Sequence, residues 1–190
     1  PTEQFRSVNS LPRDISLFTV GEDIYASATP SEEVSSLRTS TAEIETFLVD
    51  NAASKDVAVG GYDAYEVSFT LKPQSEGKTK VTLCNACGEK FSLEFDTENM
   101  TVLADRSESG KMTRIKSFVL MPAAPLGLCN SSDGYDVDVF VDKCSVEVFV
   151  DGGRIAMTNL VFPSESFDNI VFESTGESEI SNMFIHKIGK

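Results

Sequence analysis

Short stretches in which apolar and polar residues alternate recur along this chain, and they constrain its fold more than any other feature. They include residues 65–71 (YEVSFTL), 91–95 (FSLEF) and 145–150 (SVEVFV). Strict alternation predicts half-buried antiparallel strands, because successive side chains of a strand point to opposite faces. Turn-forming pairs such as Ser109-Gly110 and Asp133-Gly134 separate the stretches at short intervals. The sequence therefore predicts an all-β fold, an antiparallel two-sheet β-sandwich of the jelly-roll or concanavalin-like kind.

Length and charge limit the kinds of partner. The chain has 190 residues, which fits one domain with a short extra segment. Thirty acidic residues against sixteen basic ones give a net charge of −14. Such a surface repels phosphate backbones and anionic lipid, so we expect no nucleic acid and no membrane partner. The first residue is Pro1, so we expect a trimmed chain whose localisation a missing signal peptide leaves open.

Four cysteines are too few for a fold built on disulfides. Cys84 and Cys87 have the spacing of a zinc knuckle, but a closed zinc site needs four ligands. Cys129 and Cys144 lie fifteen residues apart, and His186 is the single histidine. We therefore expect no metal and no cofactor, and we interpret the Cys84 segment as a hairpin turn that ends near Lys90.

Three segments together carry a family resemblance. They are residues 10–17 (SLPRDISL), 103–110 (LADRSESG) and 139–154 (VFVDKCSVEVFVDGGR), the last continuing to Phe162-Pro163. In this order they resemble the end of glycoside hydrolase family 32, which contains invertases, levanases and inulinases. Asp14-Ile15 departs from the Glu-Leu that is usual there. The matching positions are Leu11, Pro12, Arg13, Asp105, Arg106, Ser107, Ser109, Gly110, Ser145, Glu147, Phe149, Phe162 and Pro163.

The resemblance implies a division of the chain and a role for it. Residues 1–29 would be a remnant of the last blade of a five-bladed propeller, 30–48 a linker, and 49–190 the β-sandwich module. In the family the catalytic carboxylates come from propeller motifs (Asn-Asp-Pro-Asn, Arg-Asp-Pro and Glu-Cys), and none of these occurs here. We therefore expect no catalytic residue in this chain.

The implied function is that of an accessory module. It would stabilise the catalytic propeller of a retaining β-fructofuranosidase, its partner within the same parent chain, with sugar or second-subunit contacts as further roles. The resemblance favours an extracellular or periplasmic location. Packing of this kind also predicts an exposed apolar patch on the isolated module.

Individual residues admit two interpretations. Asp105-Arg106-Ser107 could be a ligand-binding turn, but we favour a strand end whose side chains satisfy nearby backbone groups. In 145–150 we expect Val146, Val148 and Val150 to form the inter-sheet core. Glu147 could touch the propeller or a sugar, although we expect a solvated or locally hydrogen-bonded strand residue. We expect Phe149 to be partly covered, either by a loop or by the propeller.

Two other functions remain open from the sequence. An independent carbohydrate-binding, lectin-like module would need exposed aromatic rings; the chain has no Trp, but Tyr25, Tyr62, Tyr65 and Tyr135 are available. A purely structural adhesion or assembly domain is the third class. A sandwich fold alone does not separate these classes.

Overall fold

The computed structural model describes residues 9–111, 123–130 and 132–189. Within these ranges the chain forms fifteen β-strands and two short 3-10 helices, Glu32–Leu37 and Leu126–Leu128. The strands are β1 Arg13–Val20, β2 Asp23–Pro30, β3 Arg38–Ile44, β4 Phe47–Val49, β5 Lys55–Ala58, β6 Tyr65–Pro73, β7 Lys78–Cys84, β8 Lys90–Asp96, β9 Thr101–Glu108, β10 Ala123–Pro125, β11 Tyr135–Asp142, β12 Ser145–Val150, β13 Ile155–Leu160, β14 Asn169–Ser174 and β15 Ser178–Ile188. No helix in these ranges is long and apolar enough to cross a membrane.

Strands β3 to β15 form two sheets that face each other. The six-stranded sheet has the order β10-β9-β8-β7-β14-β5. The seven-stranded sheet has the order β13-β12-β11-β6-β15-β3, and the short strand β4 also pairs with β15. Every strand pair in both sheets is antiparallel. The prediction of an all-β antiparallel sandwich is confirmed.

The alternating segments bury one face between the sheets, as expected. Val146, Val148 and Val150 are each 0% exposed and belong to the main core. The inward residues of the facing sheet include Phe91, Leu93 and Phe95 in β8. Because alternation is a local property of a strand, the sequence alone was enough to assign these inward faces.

Much of the stretch predicted as a linker, 30–48, has regular structure. After the 3-10 helix Glu32–Leu37, β3 adds to the edge of the seven-stranded sheet by pairing with β15. Strand β4 pairs with the other end of β15. Strand β3 begins at Arg38, and this β-branched, polar segment satisfies the open edge of β15, while the domain boundary at residue 49 stays a prediction.

Strands β1 and β2 form a separate two-stranded sheet, hereafter the hairpin. It lies within the predicted blade remnant 1–29, of which residues 1–8 are outside the described ranges. The assignment of the hairpin to a propeller blade remains a prediction, and its two faces are described below.

The segment around Cys84 is a hairpin turn, as expected. Strand β7 ends at Cys84 and β8 begins at Lys90, and the two pair directly. The buried Asn85 holds the turn: its side-chain oxygen accepts hydrogen bonds from the backbone N–H groups of Cys87 and Glu89, both at 3.1 Å. Among the described residues, no group of three or more His, Cys, Asp or Glu side chains is placed to hold a metal ion.

Candidate functional site

The hairpin exposes an unusually apolar face. Ile15, Leu17 and Ile24 are 67%, 74% and 68% exposed. They share one face because Ile15 pairs with Ala28, Leu17 with Ala26 and Thr19 with Ile24. This face, hereafter the apolar hairpin face, matches the exposed patch expected of a module that packs on another domain.

The opposite face of the hairpin lies against the sandwich. Phe18 and Tyr25 stack with their ring centroids 5.6 Å apart. The guanidinium of Arg154, the residue before β13, lies 4.7 Å from the centroid of the Phe18 ring. Ser27 on the same face is buried and its hydroxyl bonds that of Ser16 at 2.7 Å. One face of the hairpin is therefore covered by the sandwich, and the other is apolar and exposed.

The two edges of the hairpin also differ. The outer edge of β2 meets the turn after β12: the Ala28 N–H donates to the Gly153 carbonyl oxygen at 2.9 Å, and the Thr29 hydroxyl donates to the Gly152 carbonyl oxygen at 2.6 Å. Gly153 has φ +76°, and a Cβ there would collide with the Ala28 backbone. Within the described residues no strand pairs with the outer edge of β1. The available edge is therefore that of β1.

Glu147 anchors the chain that leads into the hairpin. Its carboxylate accepts hydrogen bonds from the backbone N–H of Leu11 at 2.8 Å and from Nη2 of Arg13 at 2.5 Å. The Thr158 hydroxyl lies 3.3 Å from the same carboxylate. Glu147 is only 5% exposed, so of the two expected states, solvated or locally hydrogen-bonded, it is not the solvated one; besides Thr158 on the neighbouring strand, its partners are the distant Leu11 and Arg13. Residues 11–13 cross the outer face of the seven-stranded sheet at this point and exclude water from it.

The same crossing covers Phe149, which is 1% exposed. A second apolar cluster on the outer face joins Phe149 to Val34 of the first 3-10 helix and to Phe140 of β11. The rings of Phe140 and Phe149 meet edge to face at 5.9 Å, and the Arg13 guanidinium lies 4.9 Å from the Phe149 centroid. The predicted cover over Phe149 is thus supplied from within this chain.

The second motif makes local hydrogen bonds to its own backbone. The Asp105 carboxylate accepts the Ser107 N–H at 2.8 Å, and the Ser109 hydroxyl donates to the Arg106 carbonyl oxygen at 2.8 Å. Gly110, with φ +117°, forms a parallel bridge to Phe162. A Cβ on Gly110 would collide with the Phe162 carbonyl.

The bridge between Gly110 and Phe162 joins the second motif, residues 103–110, to Phe162-Pro163 at the end of the third motif. The Phe162 N–H donates to the Ser109 carbonyl oxygen at 3.0 Å, next to the half-buried Pro163. Ser145, the first residue of β12, pairs with Leu160, the last residue of β13. The sequence-predicted positions therefore form two structural groups, one around Glu147 and one around Gly110.

The tyrosines available for sugar stacking are mostly occupied. Tyr65 and Tyr135 are 0% and 2% exposed and lie in the inter-sheet core. Tyr25 stacks on Phe18. Tyr62 is half-buried, with the Lys187 ammonium 5.8 Å from its ring centroid. This distribution disfavours a sugar site built on exposed rings.

Comparison with known proteins agrees with the fold and the motifs. The levanase of Bacillus subtilis (strain 168) is 27% identical over 194 residues, which cover all of this chain and 28% of the levanase. The extracellular exo-inulinase of Aspergillus awamori is 26% identical over 93% of this chain and 33% of its own length. The chain thus spans about a third or less of these two relatives.

Solved structures show the same architecture. The crystal structure of exo-inulinase from Aspergillus awamori superimposes with a TM-score of 0.81 at 24% identity, over all of this chain and 37% of that one. The β-fructofuranosidase from Schwanniomyces occidentalis superimposes with a TM-score of 0.75 at 19% identity, over 95% of this chain and 40% of that one. The family described as "Glycosyl hydrolases family 32 C terminal" matches residues 33–187. The chain therefore belongs to the C-terminal domain family of family 32 glycosyl hydrolases.

Proposed function

We propose that this chain is the non-catalytic C-terminal accessory module of a fructan- or sucrose-hydrolysing glycoside hydrolase, and that it stabilises the catalytic propeller. The observation that carries this proposal is the hairpin. It is anchored to the sandwich through Glu147 and Gly153, while no described residue covers its apolar face or pairs with the outer edge of β1. An isolated two-stranded sheet is marginally stable in water, so a further sheet against this surface is the expected arrangement.

The geometry favours β1 as the strand of the hairpin to which a further strand would be added. Because the turn 151–154 occupies the outer edge of β2, an added strand would pair with β1. The hairpin would then be the outermost part of a larger sheet whose remaining strands come from the catalytic domain. Burial of Ile15, Leu17 and Ile24 would stabilise that contact by about 25 cal/mol for each Å² of apolar surface removed from water.

The chemistry of the parent protein is proposed from the relatives. They bear the names levanase and exo-inulinase, and the module covers only part of each. Retaining hydrolysis of a fructosyl bond needs a nucleophile and an acid carboxylate about 5–5.5 Å apart around one sugar. In this proposal both carboxylates belong to the propeller. The buried carboxylate described above, that of Glu147, serves as a structural anchor, since it is bound to Arg13 and Leu11.

The alternative of an independent lectin-like module receives less support. Sugar-binding faces commonly use exposed aromatic rings, whereas Tyr65 and Tyr135 are buried and Tyr25 is stacked on Phe18. The amphipathic hairpin has no role in such a module, but it is expected in one that packs on a second domain.

A fusion experiment tests the proposal. This chain would be joined behind the region of the Bacillus subtilis levanase that precedes the matched segment, and the midpoint of thermal inactivation on levan would be measured. We expect the fusion to survive higher temperatures than that region alone. Leu17→Lys, on the apolar hairpin face, should remove most of the gain. Leu48→Lys, at another exposed leucine on β4 (55% exposed, against 74% for Leu17), should not. Equal inactivation midpoints for the two variants would contradict the proposal.

A further inference from the structure

Residues 31–37, hereafter the connector, join the hairpin to the sandwich, and an ion pair lies beneath them. Arg38 directly follows the 3-10 helix Glu32–Leu37, and its own N–H caps that helix by bonding the Ser35 carbonyl oxygen. The Arg38 side chain donates two hydrogen bonds to Glu66 of β6, from Nε at 2.7 Å and from Nη2 at 2.5 Å. The side chain of Glu66 is 1% exposed. The end of the connector is therefore held by a bidentate contact between a partly exposed guanidinium and a buried carboxylate.

A second carboxylate lies beside this pair without a partner of its own. Asp138 is on β11, two residues before Phe140, which pairs directly with Glu66. The Asp138 carboxylate is half-buried, and no residue in the described ranges donates a hydrogen bond to it. Asp138 and Glu66 thus lie near a single guanidinium, and one negative charge is left unbalanced.

The other charged groups do not restore the balance. Glu32, on the 3-10 helix, lines the same cavity of about 190 Å³ as Arg38, Glu66 and Asp138. Asp136 precedes Asp138 on the same face of β11 and accepts a hydrogen bond from Thr70. His186 of β15 pairs with Glu66, but burial and the nearby Arg38 lower its pKa, so it is neutral at pH 7. Arg13 lies over Phe149, the β12 partner of Asp138, but its guanidinium is paired with Glu147. Among the described residues that line the cavity, Arg38 is the cation.

We infer that Arg38, Glu66 and Asp138 form a proton-dependent clasp on the connector, closed when Asp138 is neutral and loosened when Asp138 is ionised. The ionised carboxylate competes with Glu66 for Arg38 and draws water into the cavity beneath the 3-10 helix. The connector follows β2 directly, and the Ser31 N–H bonds the Pro12 carbonyl oxygen at 3.0 Å. Loosening the clasp therefore changes how firmly the hairpin is held.

The pH range follows from the environment of Asp138. Burial, together with the negative charge of Glu66, raises the pKa of Asp138 to about 6, against the opposing effect of Arg38. A raised carboxyl pKa means that the folded chain binds the proton more tightly than the unfolded chain. The contribution of the clasp is then complete below the ordinary pKa of an aspartate and is lost as the pH rises through about 6.

Amide hydrogen exchange in the purified chain tests the inference. The reporters are the N–H groups of Val34, Arg38 and Gly189, which bond the carbonyl oxygens of Ser31, Ser35 and Leu37. After correction for intrinsic exchange, their protection should fall roughly tenfold between pH 5 and pH 7.5. The Val59 N–H donates to the backbone carbonyl oxygen of Asp168 in the sandwich; it should keep its protection and serves as the internal reference.

Two variants and one titration make the test decisive. Asp138→Asn should keep the three reporters protected at every pH, whereas Asp142→Asn, an exposed position at the end of the same strand, should behave as the wild type. The carboxyl carbon of Asp138, followed by NMR in the wild type, should titrate near pH 6. A flat exchange profile in the wild type, titration near pH 4, or a pH dependence that survives Asp138→Asn would each overturn the inference. The clasp lies within this chain, so none of these outcomes depends on the proposed function.

Discussion

At the scale of single residues, neighbouring positions of β12 play opposite structural roles. Val148 is 0% exposed in the inter-sheet core, where it pairs with Val139 and Met157. Glu147 points to the other face and is buried by residues 11–13, which contribute an N–H and a guanidinium to it. Both residues are therefore sensitive to substitution, for different physical reasons.

We expect Val148→Asp to destabilise the chain by several kcal/mol, because it places an unpaired carboxylate in an apolar core. We expect Glu147→Ala to cost about 2 kcal/mol, since it leaves the Leu11 N–H and the Arg13 guanidinium without their acceptor. Urea denaturation measures both. Asp142→Ala, at an exposed position on β11, is the control and should change the free energy of unfolding by less than about 0.5 kcal/mol. A Glu147→Ala variant as stable as this control would refute the anchor.

At the scale of elements, turns position the hairpin and the core strands. The turn 151–154 contacts β2 through backbone groups, and the Cys84–Lys90 turn is held by one asparagine. The first contact is made by backbone atoms, so the residue at position 153 decides whether the two backbones can approach, whereas the second turn is held by the side chain of Asn85.

Gly153→Ala should loosen the hairpin. Gly153 and Gly88 have nearly equal φ values, +76° and +77°, so alanine costs about 1 kcal/mol of backbone strain at either site. A Cβ at Gly153 also collides with Ala28, whereas a Cβ at Gly88 has nothing within 4 Å. Exchange of the Ala28 N–H should therefore accelerate in Gly153→Ala and stay unchanged in Gly88→Ala. Identical exchange in both variants would show that the contact does not hold β2.

The Cys84 turn should depend on Asn85 rather than on a metal. The Asn85 side chain also donates to Glu89 at 2.9 Å and to the Glu165 carbonyl oxygen at 2.8 Å. Its replacement by alanine should cost about 2 kcal/mol, because buried backbone groups lose their partners. Cys87→Ser, at an exposed site, should change little, and EDTA should leave the melting temperature unaltered. Stoichiometric zinc by elemental analysis, with unfolding on chelation, would prove this wrong.

At the scale of the whole molecule, a sandwich carries an amphipathic hairpin on its outer face. The sandwich has a continuous core between two sheets, whereas the hairpin turns three large apolar side chains outward. The net charge of −14 gives the chain little affinity for polyanions. In the proposed function, the catalytic domain covers the apolar hairpin face.

The purified chain should release no fructose from sucrose, inulin or levan. The sequence holds none of the propeller carboxylate motifs, and the buried Glu147 and Glu66 are each bound to an arginine. Reducing-sugar release over many hours, compared with a buffer blank, measures this. Activity that stays proportional to the chain through successive purification steps would be the contrary result.

The sequence by itself determined the local features of this protein. Period-two alternation revealed the strands and the inward face of β12, and the spacing around Cys84 revealed a hairpin, because both depend on residues close together in the chain. The three motif segments pointed to the family. None of these inferences requires knowing which distant segments of the chain cover the outer face of a strand.

Only the tertiary structure decided what covers the outer face of the seven-stranded sheet. Arg13 and Glu147 are 134 residues apart, and Arg38 and Glu66 are 28 apart. Alternation marks Glu147 and Glu66 as outward residues, and an outward carboxylate is normally solvated. Here the connector and residues 11–13 lie over that face, so the same two positions become buried and paired. Burial depends on the path of distant chain segments, which the alternation within a single strand does not record.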